Sequence, residues 1–343
     1  MIASIILYTN VMKWKEFLHK YERHLSSGAL VIGFIIDNLT FQRIDRLLDS
    51  LILLAYILLS ALSVYLLSVG KLPRILPIVL QFLFGGLASA LFIFYSRSGS
   101  LASSWPFLFA LAGLLIGNEL FKSRYEVFSF RISVFFFVLF SFVISYLPVV
   151  LGKIGPFVFV LSGVISLVLI WLFLRLIPDR PPYVPILGIF LAVNFMYFAN
   201  IIPPIPLALK DFGIFHSLVR NSSGQYEVLA EQEPWYAFLQ TKKVHIAPGE
   251  TLYAYSAVFA PTRLSLNIVH QWQYKSDVGW QTVSALEFPI VGGRDGGYRG
   301  YSFHRNVTPG EWRVNIKTSD NQIIGRIDFV AINGPPLLER QLR

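Results

Sequence analysis

Apolar residues gather along this chain into runs long enough to cross a bilayer, and the runs stop near residue 205. Six are plain: 48–70, 75–95, 105–121, 132–151, 154–174 and 185–204. Covering the hydrocarbon takes about 20 apolar residues in a helix. Backbone groups find no water there, so such runs fold as helices that close their own hydrogen bonds. The connections are short, which makes neighbouring helices antiparallel hairpins. A seventh run, SSGALVIGFIIDNLTF at 26–41, is shorter and holds Asp37. Its length also suits a re-entrant or interfacial helix.

Lysine and arginine decide between the two. Suppose 26–41 spans and the N-terminus is cytoplasmic. The inner side then holds eleven: Lys13, Lys15, Lys20, Arg23, Lys71, Arg74, Lys122, Arg124, Arg131, Arg175 and Arg180. The outer side holds four: Arg43, Arg46, Arg97 and Lys153. Without that span the division is eight to seven. Cytoplasmic loops carry the basic excess, so eleven to four favours seven spans. The C-terminal part then lies outside the cytoplasm, in the periplasm for a bacterial inner membrane. The N-terminal MIASIILYTNVMKWKEF does not read as a signal peptide, because its basic residues follow the apolar patch and no small-residue cleavage site appears.

The formal net charge of +9 has the same origin. Residues 1–206 hold 15 Lys and Arg against 8 Asp and Glu, and residues 207–343 hold 14 against 12. The excess sits beside the apolar runs, as membrane loops require, which argues against nucleic acid as a partner. The chain has no cysteine, which removes disulfides, thiol chemistry and cysteine-ligated metal.

Polar residues inside the spans are sparse. Asn118 and Glu119 lie one turn from Lys122 and Arg124 and read as interfacial anchors, with a proton or substrate relay as the alternative. Gln81 and Asn194 lie deeper and suit bonds across helices. Asp37 is placed to face Arg43 or Arg46. No span carries a ladder of acids, which leaves a pump or transporter with little support. Gly113 and Gly117 form an unspecific small-residue packing pair. Pro203, Pro204 and Pro206 stop the last helix and read as a stiff exit linker.

Beyond residue 206 the pattern changes to short alternating segments bounded by Gly, Pro, Asp and Asn. Strands are expected at 251–260, 264–275, 279–288, 298–305, 310–318 and 322–332, with weaker ones near 213–219, 225–231 and 242–246. Along one of them Trp312, Val314 and Ile316 point one way and Arg313, Asn315 and Lys317 the other. Seven to nine short strands favour an antiparallel β-sandwich of immunoglobulin-like architecture, with a barrel as runner-up. The expected fold is a multi-pass α-helical membrane domain over residues 1–206, followed by an extracytoplasmic β-sandwich domain over 207–343.

The block from about 250 to 332 resembles the bacterial family called domain of unknown function twenty-nine fourteen. The residues that carry the resemblance are His270 to Tyr274, Gly292 to Tyr301, Pro309 to Val314 and Ile324 to Phe329. Membrane spans followed by this domain are also similar to the arrangement in family members. The resemblance implies no catalytic or binding residue.

Within that block, GGRDGGYRGY at 292–301 has two readings. Paired glycines permit positive φ and sharp bends, and Asp-Gly is a hairpin signal. On this reading it is a hairpin or arched loop, with Arg294 and Asp295 at the tip and Arg299 as anchor. On the other it is a recognition surface. Arg294 and Arg299 would hold an anion bidentately, while Tyr298 and Tyr301, with Trp272 or Trp280, stack on a sugar or peptide. Asp295 and His270 complete that candidate set. A P-loop is excluded, since no Gly-Lys-Ser/Thr follows. His216, His245, His270 and His304 show no helical ligand spacing and are read as structural or surface residues. Trp312 is read as a core residue opening a strand. No metal, cofactor or catalytic triad is assigned.

The function expected is a membrane-anchored extracytoplasmic binding or interaction module of the bacterial envelope. Its partners are the lipid bilayer and either other membrane proteins or an envelope polymer. The alternatives are a scaffold subunit of a membrane complex, and a membrane enzyme or transporter with the β domain as a lid. The last needs Asp37, Gln81, Glu119 and Asn194 to meet in one cavity.

Overall fold

The computed structural model describes residues 31–41, 45–70, 76–98, 101–117, 122–232 and 241–343. Among the described residues seven apolar helices come first: α1 (Val31–Thr40), α2 (Leu47–Val69), α3 (Leu76–Ser98), α4 (Leu101–Gly117), α5 (Phe128–Leu151), α6 (Pro156–Leu174) and α7 (Tyr183–Phe198). Four of them, α2, α3, α5 and α6, are long and apolar enough to cross a membrane. At 1.5 Å per residue the 23 residues of α2 reach about 35 Å, against a hydrocarbon core of about 30 Å. Residues 26–30 of the early run, Lys13, Lys15, Lys20, Arg23, Arg43, Lys71, Arg74, Asn118 and Glu119 lie outside the described residues.

The helices lack the polar face of a soluble bundle. On α2, Leu53, Ile57 and Val64 are buried while Leu51, Leu54, Leu58 and Leu62 are exposed. Apolar residues thus occupy both sides, unlike the single apolar stripe of a helix packed on a water-soluble core. The central helix is α5, packed against α2, α3, α6 and α7. Aromatic rings fill the space around it, among them Tyr95, Phe107, Phe136 and Phe140. Glycine in the left-handed conformation closes α2 at Gly70 (φ 73°) and α5 at Gly152 (φ 62°).

Helix α1 packs along α3 through the pairs Phe34–Phe92 and Phe41–Phe94. Arg97 closes its last turn, donating to the carbonyls of Phe41 (2.8 Å) and Asn38 (3.0 Å). A cation there satisfies orphan carbonyls and opposes the negative end of the helix dipole. The last helix ends at Phe198, six residues before the expected 204. Asn200 takes a left-handed conformation (φ 57°), and the Ile201 N–H returns to the Met196 carbonyl (2.8 Å). That closure ends the helix before the prolines act.

Eleven strands follow among the described residues: β1 (Ala208–Phe215), β2 (Ser217–Arg220), β3 (Tyr226–Glu231), β4 (Lys242–Ile246), β5 (Leu252–Phe259), β6 (Ser265–Ser276), β7 (Gly279–Val291), β8 (Tyr298–His304), β9 (Gly310–Thr318), β10 (Ile323–Asn333) and β11 (Leu338–Leu342). They form three sheets, ordered β4-β10-β9-β6-β7, β1-β5-β8 and β11-β3-β2. All pairings are antiparallel except β4 with β10. The arrangement therefore has three layers where two sheets were expected.

The alternation of β5 shows why. Leu252, Ala254 and Val258 enter the core shared with Trp272, Val314 and Phe329 of the five-stranded sheet. Tyr253, Tyr255 and Ala257 enter the core shared with Tyr226 and Val228 of the outermost sheet. Successive side chains of a strand alternate in direction, so a strand buried on both faces makes its sheet the middle layer. Truncating a side chain such as the fully buried Trp272 costs about 3–5 kcal/mol.

The β9–β10 turn sits against the helices. The Ile323 N–H donates to Asn200 Oδ1 (3.3 Å). The Asp320 carboxylate approaches Gly155, the residue before the first turn of α6, so closely that a Cβ on Gly155 would lie 2.6 Å from it. A carboxylate there suits the positive end of a helix dipole. Ser98 Oγ on α3 donates to the Leu207 carbonyl, and Ile154 packs against the main β core. This end of the β region also holds the β5–β6 loop, where the Arg263 carbonyl abuts Gly152.

Candidate functional site

The glycine-rich stretch is an arch, not a hairpin. Strand β7 pairs with β6 in the five-stranded sheet and β8 with β5 in the middle sheet, so residues 292–297 carry the chain between layers. The N–H groups of Gly292 and Gly293 donate to the carbonyls of Leu264 and Ala260, both at 2.9 Å. A Cβ on Gly292 would lie 1.7 Å from the Pro261 carbonyl oxygen. Gly297 has φ 83° and presses on the backbone of Ala257 and Val258. These glycines are required by close backbone approach and positive φ. The arch also neighbours the loop that abuts Gly152, which puts it at the helix-proximal end of the β region.

The structure divides the expected recognition set. Arg294 and Asp295 are exposed, and the Arg294 guanidinium lies over the Tyr298 ring at 5.0 Å. Alternation along β8 sends Arg299 and Tyr301 to the opposite face. There burial pushes the Tyr255 phenol up to about 12, with Arg299 acting in the other direction. The two guanidiniums therefore make no joint clamp. Tyr301 is 41% exposed and lies beside Tyr226 and Tyr253, at 6.0 and 6.5 Å between ring centroids.

His270 and Trp272 need a correction as contact residues: both are fully buried between the five-stranded and middle sheets. Their neighbours Gln271 and Gln273 take the outward positions of β6. His270 Nε2 shares a hydrogen bond with Ser256 Oγ (2.7 Å) and Nδ1 with Ser302 Oγ (3.0 Å). The Trp272 indole N–H donates to the same Ser302 oxygen (2.9 Å). Burial lowers the His270 imidazole to about 4, so the ring is neutral inside this network. With no ligand face open, the group acts as a polar pin within an apolar core.

His216 and His245 meet in a separate cluster, while His304 packs against Trp272 and Trp312. The His216 ring sits between two carboxylates, with Nδ1 at 2.5 Å from Glu250 Oε1 and Nε2 at 2.9 Å from Glu231 Oε1. Glu231 also meets the His245 ring Nδ1 (2.8 Å) and accepts from the His245 N–H (2.5 Å). Glu250 accepts from the Ala247 N–H (2.6 Å). This clasp ties the β1–β2 junction to β3, β4 and the loop before β5. Among the described residues, no three or more His, Cys, Asp or Glu form a group able to hold a metal.

Sequence reasoning missed the outward face of the five-stranded sheet. Gln273 and Asn315, on β6 and β9, are 9% and 4% exposed beneath two arginines. Arg313 Nε donates to Gln273 Oε1 (2.6 Å), and Arg326 Nε to Asn315 Oδ1 (2.7 Å). The Asn315 amide donates to Gln273 Oε1 (2.9 Å), and Gln271 and Gln273 donate to Thr282 Oγ1 (2.9 and 3.1 Å). Trp280 lies under the Arg313 guanidinium at 4.2 Å. Burial lowers the Arg313 guanidinium, Arg326 lowers it further, and Asp328 opposes them. The outward pointing of Arg313 was visible from alternation; its partner on β10 required the register.

Among the expected intramembrane polar residues, Asp37 lies near Ser89 and Tyr56, with Arg97 rather than Arg46 closing that helix end. Gln81 is buried on α3, two turns from Ser89. The Asn194 side chain donates to the Phe190 carbonyl within α7 (2.7 Å). Glu119 falls outside the described residues.

These features define a helical region, with four helices long and apolar enough to cross a membrane, joined to a β region rich in antiparallel pairs. Residues 266–330 match the family model described as Protein of unknown function (DUF2914). No curated protein matches the chain. Among solved structures, the chain matches the Pseudomonas fluorescens alkylpurine DNA glycosylase AlkC bound to DNA containing an abasic site analog. The identity is 10%, over 75% of this chain and 79% of that one, with a TM-score of 0.21, too low to support an inference about fold or function.

Proposed function

We propose that this chain is a membrane-anchored binding module of the bacterial inner membrane, with residues 1–206 as a seven-span anchor and 207–343 as the periplasmic unit. The carrying observation is the outward surface of the helices, where Phe82, Phe109, Phe157 and Phe195 are 67%, 71%, 76% and 71% exposed. Apolar area of that extent belongs in hydrocarbon. The basic residues support the orientation, eleven against four. The β9–β10 turn docked on α6 and Asn200 supports a β unit held close above the bilayer.

The binding role follows from the surfaces the β unit leaves open. They are the arch with Arg294, the aromatic band around Tyr301, and the polar face of the five-stranded sheet. The partner class is an envelope component or another membrane protein. The test has two arms: an alkaline phosphatase fusion after Arg343, and co-purification from native membranes with quantitative mass spectrometry. The reading requires an active fusion and a partner that disappears when the surface residues are replaced. An inactive fusion with an intact chain rejects it.

A further inference from the structure

The face built around Arg313 and Arg326 carries more order than a solvated sheet surface requires. Two guanidiniums stand on adjacent strands. Arg313 is opposite Asp328, and Arg326 is opposite Asn315, so the arginines are diagonal neighbours. Diagonal positions lie about 7–8 Å apart, close enough for like charges to repel. The repulsion is offset by fixing each group in place. Each Nε–H is spent on a buried amide oxygen, and Trp280 supports Arg313 from beneath.

That arrangement leaves the terminal NH2 groups of both arginines without a hydrogen bond among the described residues. Lys317, on the same face, reaches Asn321 (2.7 Å). The acids on this side are Glu311, paired with Lys275 (2.7 Å), Glu287, which accepts from Asn267 (2.8 Å), and Asp328. Arg313, Arg326 and Lys317 against Asp328 and Glu287 leave a surplus of one positive charge. A guanidinium tied through Nε presents its NH2 edge outward, the geometry that receives two oxygens of a tetrahedral oxyanion.

We propose that this face is a phosphate-binding site, in which Arg313 and Arg326 together take a phosphoryl group carried by a soluble molecule or polymer. The source follows from the distance to the helices. Ile323 marks the end of β10 beside Asn200. Arg326 lies three residues beyond it and Asp328, opposite Arg313, five. At 3.3 Å per residue these are about 10 and 17 Å along the strand from the junction, which favours a soluble source over a bilayer headgroup. The inference supplies a ligand class for the binding module and rests on that reading only for the compartment that provides the phosphate.

The test is calorimetric titration of pyrophosphate into the full chain in phosphatidylcholine nanodiscs at low salt. The site predicts saturable binding, weakened about tenfold or more by Arg313→Gln or Arg326→Gln, the cost of losing a charged hydrogen-bond pair. Arg340→Gln, exposed on the outermost sheet, leaves the affinity unchanged, and all three variants keep a cooperative melt. Arg326→Lys, which keeps charge but not the fork, also weakens binding. Absence of saturable binding overturns the proposal, as does binding that survives the double substitution. If phosphatidylglycerol nanodiscs abolish pyrophosphate binding, lipid headgroups occupy the site and the commitment to a soluble source fails. None of these results depends on the orientation read by the fusion experiment.

Discussion

His270 gives the β region a pH dependence whose size follows from its burial. The ring is fully buried, and burial lowers it from an ordinary 6.5 to about 4. The folded state therefore prefers neutral imidazole. Above 6.5 neither state binds the proton, and the contribution to stability is fully present. As pH falls below 6.5 the unfolded chain takes a proton that the folded core refuses, and stability is lost until the folded value near 4 is passed. Linkage puts the loss at about 2 kcal/mol by about pH 5 and about 3 kcal/mol in the limit.

The comparison that isolates this effect is His270→Leu. At neutral pH the variant leaves the hydroxyls of Ser256 and Ser302 without the ring, and is less stable by about 1–3 kcal/mol. It has no imidazole to protonate, so the gap between it and the wild type shrinks as pH falls from 7.5 towards 5. Urea unfolding of the full chain in detergent, followed by proteolysis of the β region, measures the gap at each pH. A gap that stays constant refutes the buried neutral imidazole.

Two further substitutions test the local geometry. Gly292→Ala puts a methyl group 1.7 Å from the Pro261 carbonyl oxygen, whereas Gly296→Ala meets nothing within 4 Å. The first should destabilise the β region by about 2 kcal/mol or more while the second is neutral in a thermal melt, and equal melting temperatures would remove the arch as described. Glu231→Gln strips charge from the carboxylate that joins His216 and His245, and should cost about 2 kcal/mol in urea unfolding. A variant as stable as wild type would mean that the clasp is not formed.

The helices were legible because membrane length and apolarity leave few alternatives. Their ends were less so. Asn200 ended α7 six residues before the expected boundary by taking a left-handed turn, a local choice that hydropathy does not register. Strand β11 went unread because its side chains stay half-exposed or exposed on an outer sheet, which leaves no apolar alternation to detect. The arch and the hairpin share the same glycines, and only the pairing of β7 with β6 and β8 with β5 separates them.

The candidate site was legible by residue type but not by direction. HQWQY at 270–274 alternates visibly, yet placing Trp272 on a ligand requires the tryptophan side to be outward, and the large ring is worth more inside. Arg294 and Arg299 are close in sequence, but Arg294 sits on the arch over Tyr298 while Arg299 points to the opposite face of β8. Arg313 and Arg326 are separated by thirteen positions and meet across a ladder register that sequence spacing does not state.

The central claim is that the β region faces the periplasm and that the α6–α7 loop faces the cytoplasm. The chain has no cysteine, so one introduced thiol reports its own compartment. Val278, 90% exposed in the β6–β7 turn, and Arg180, exposed between α6 and α7, are the two positions to replace with Cys. With a membrane-impermeant maleimide on intact spheroplasts, Val278→Cys should label at once and Arg180→Cys only after lysis. The reverse pattern, or both thiols reacting from the same side, contradicts the account.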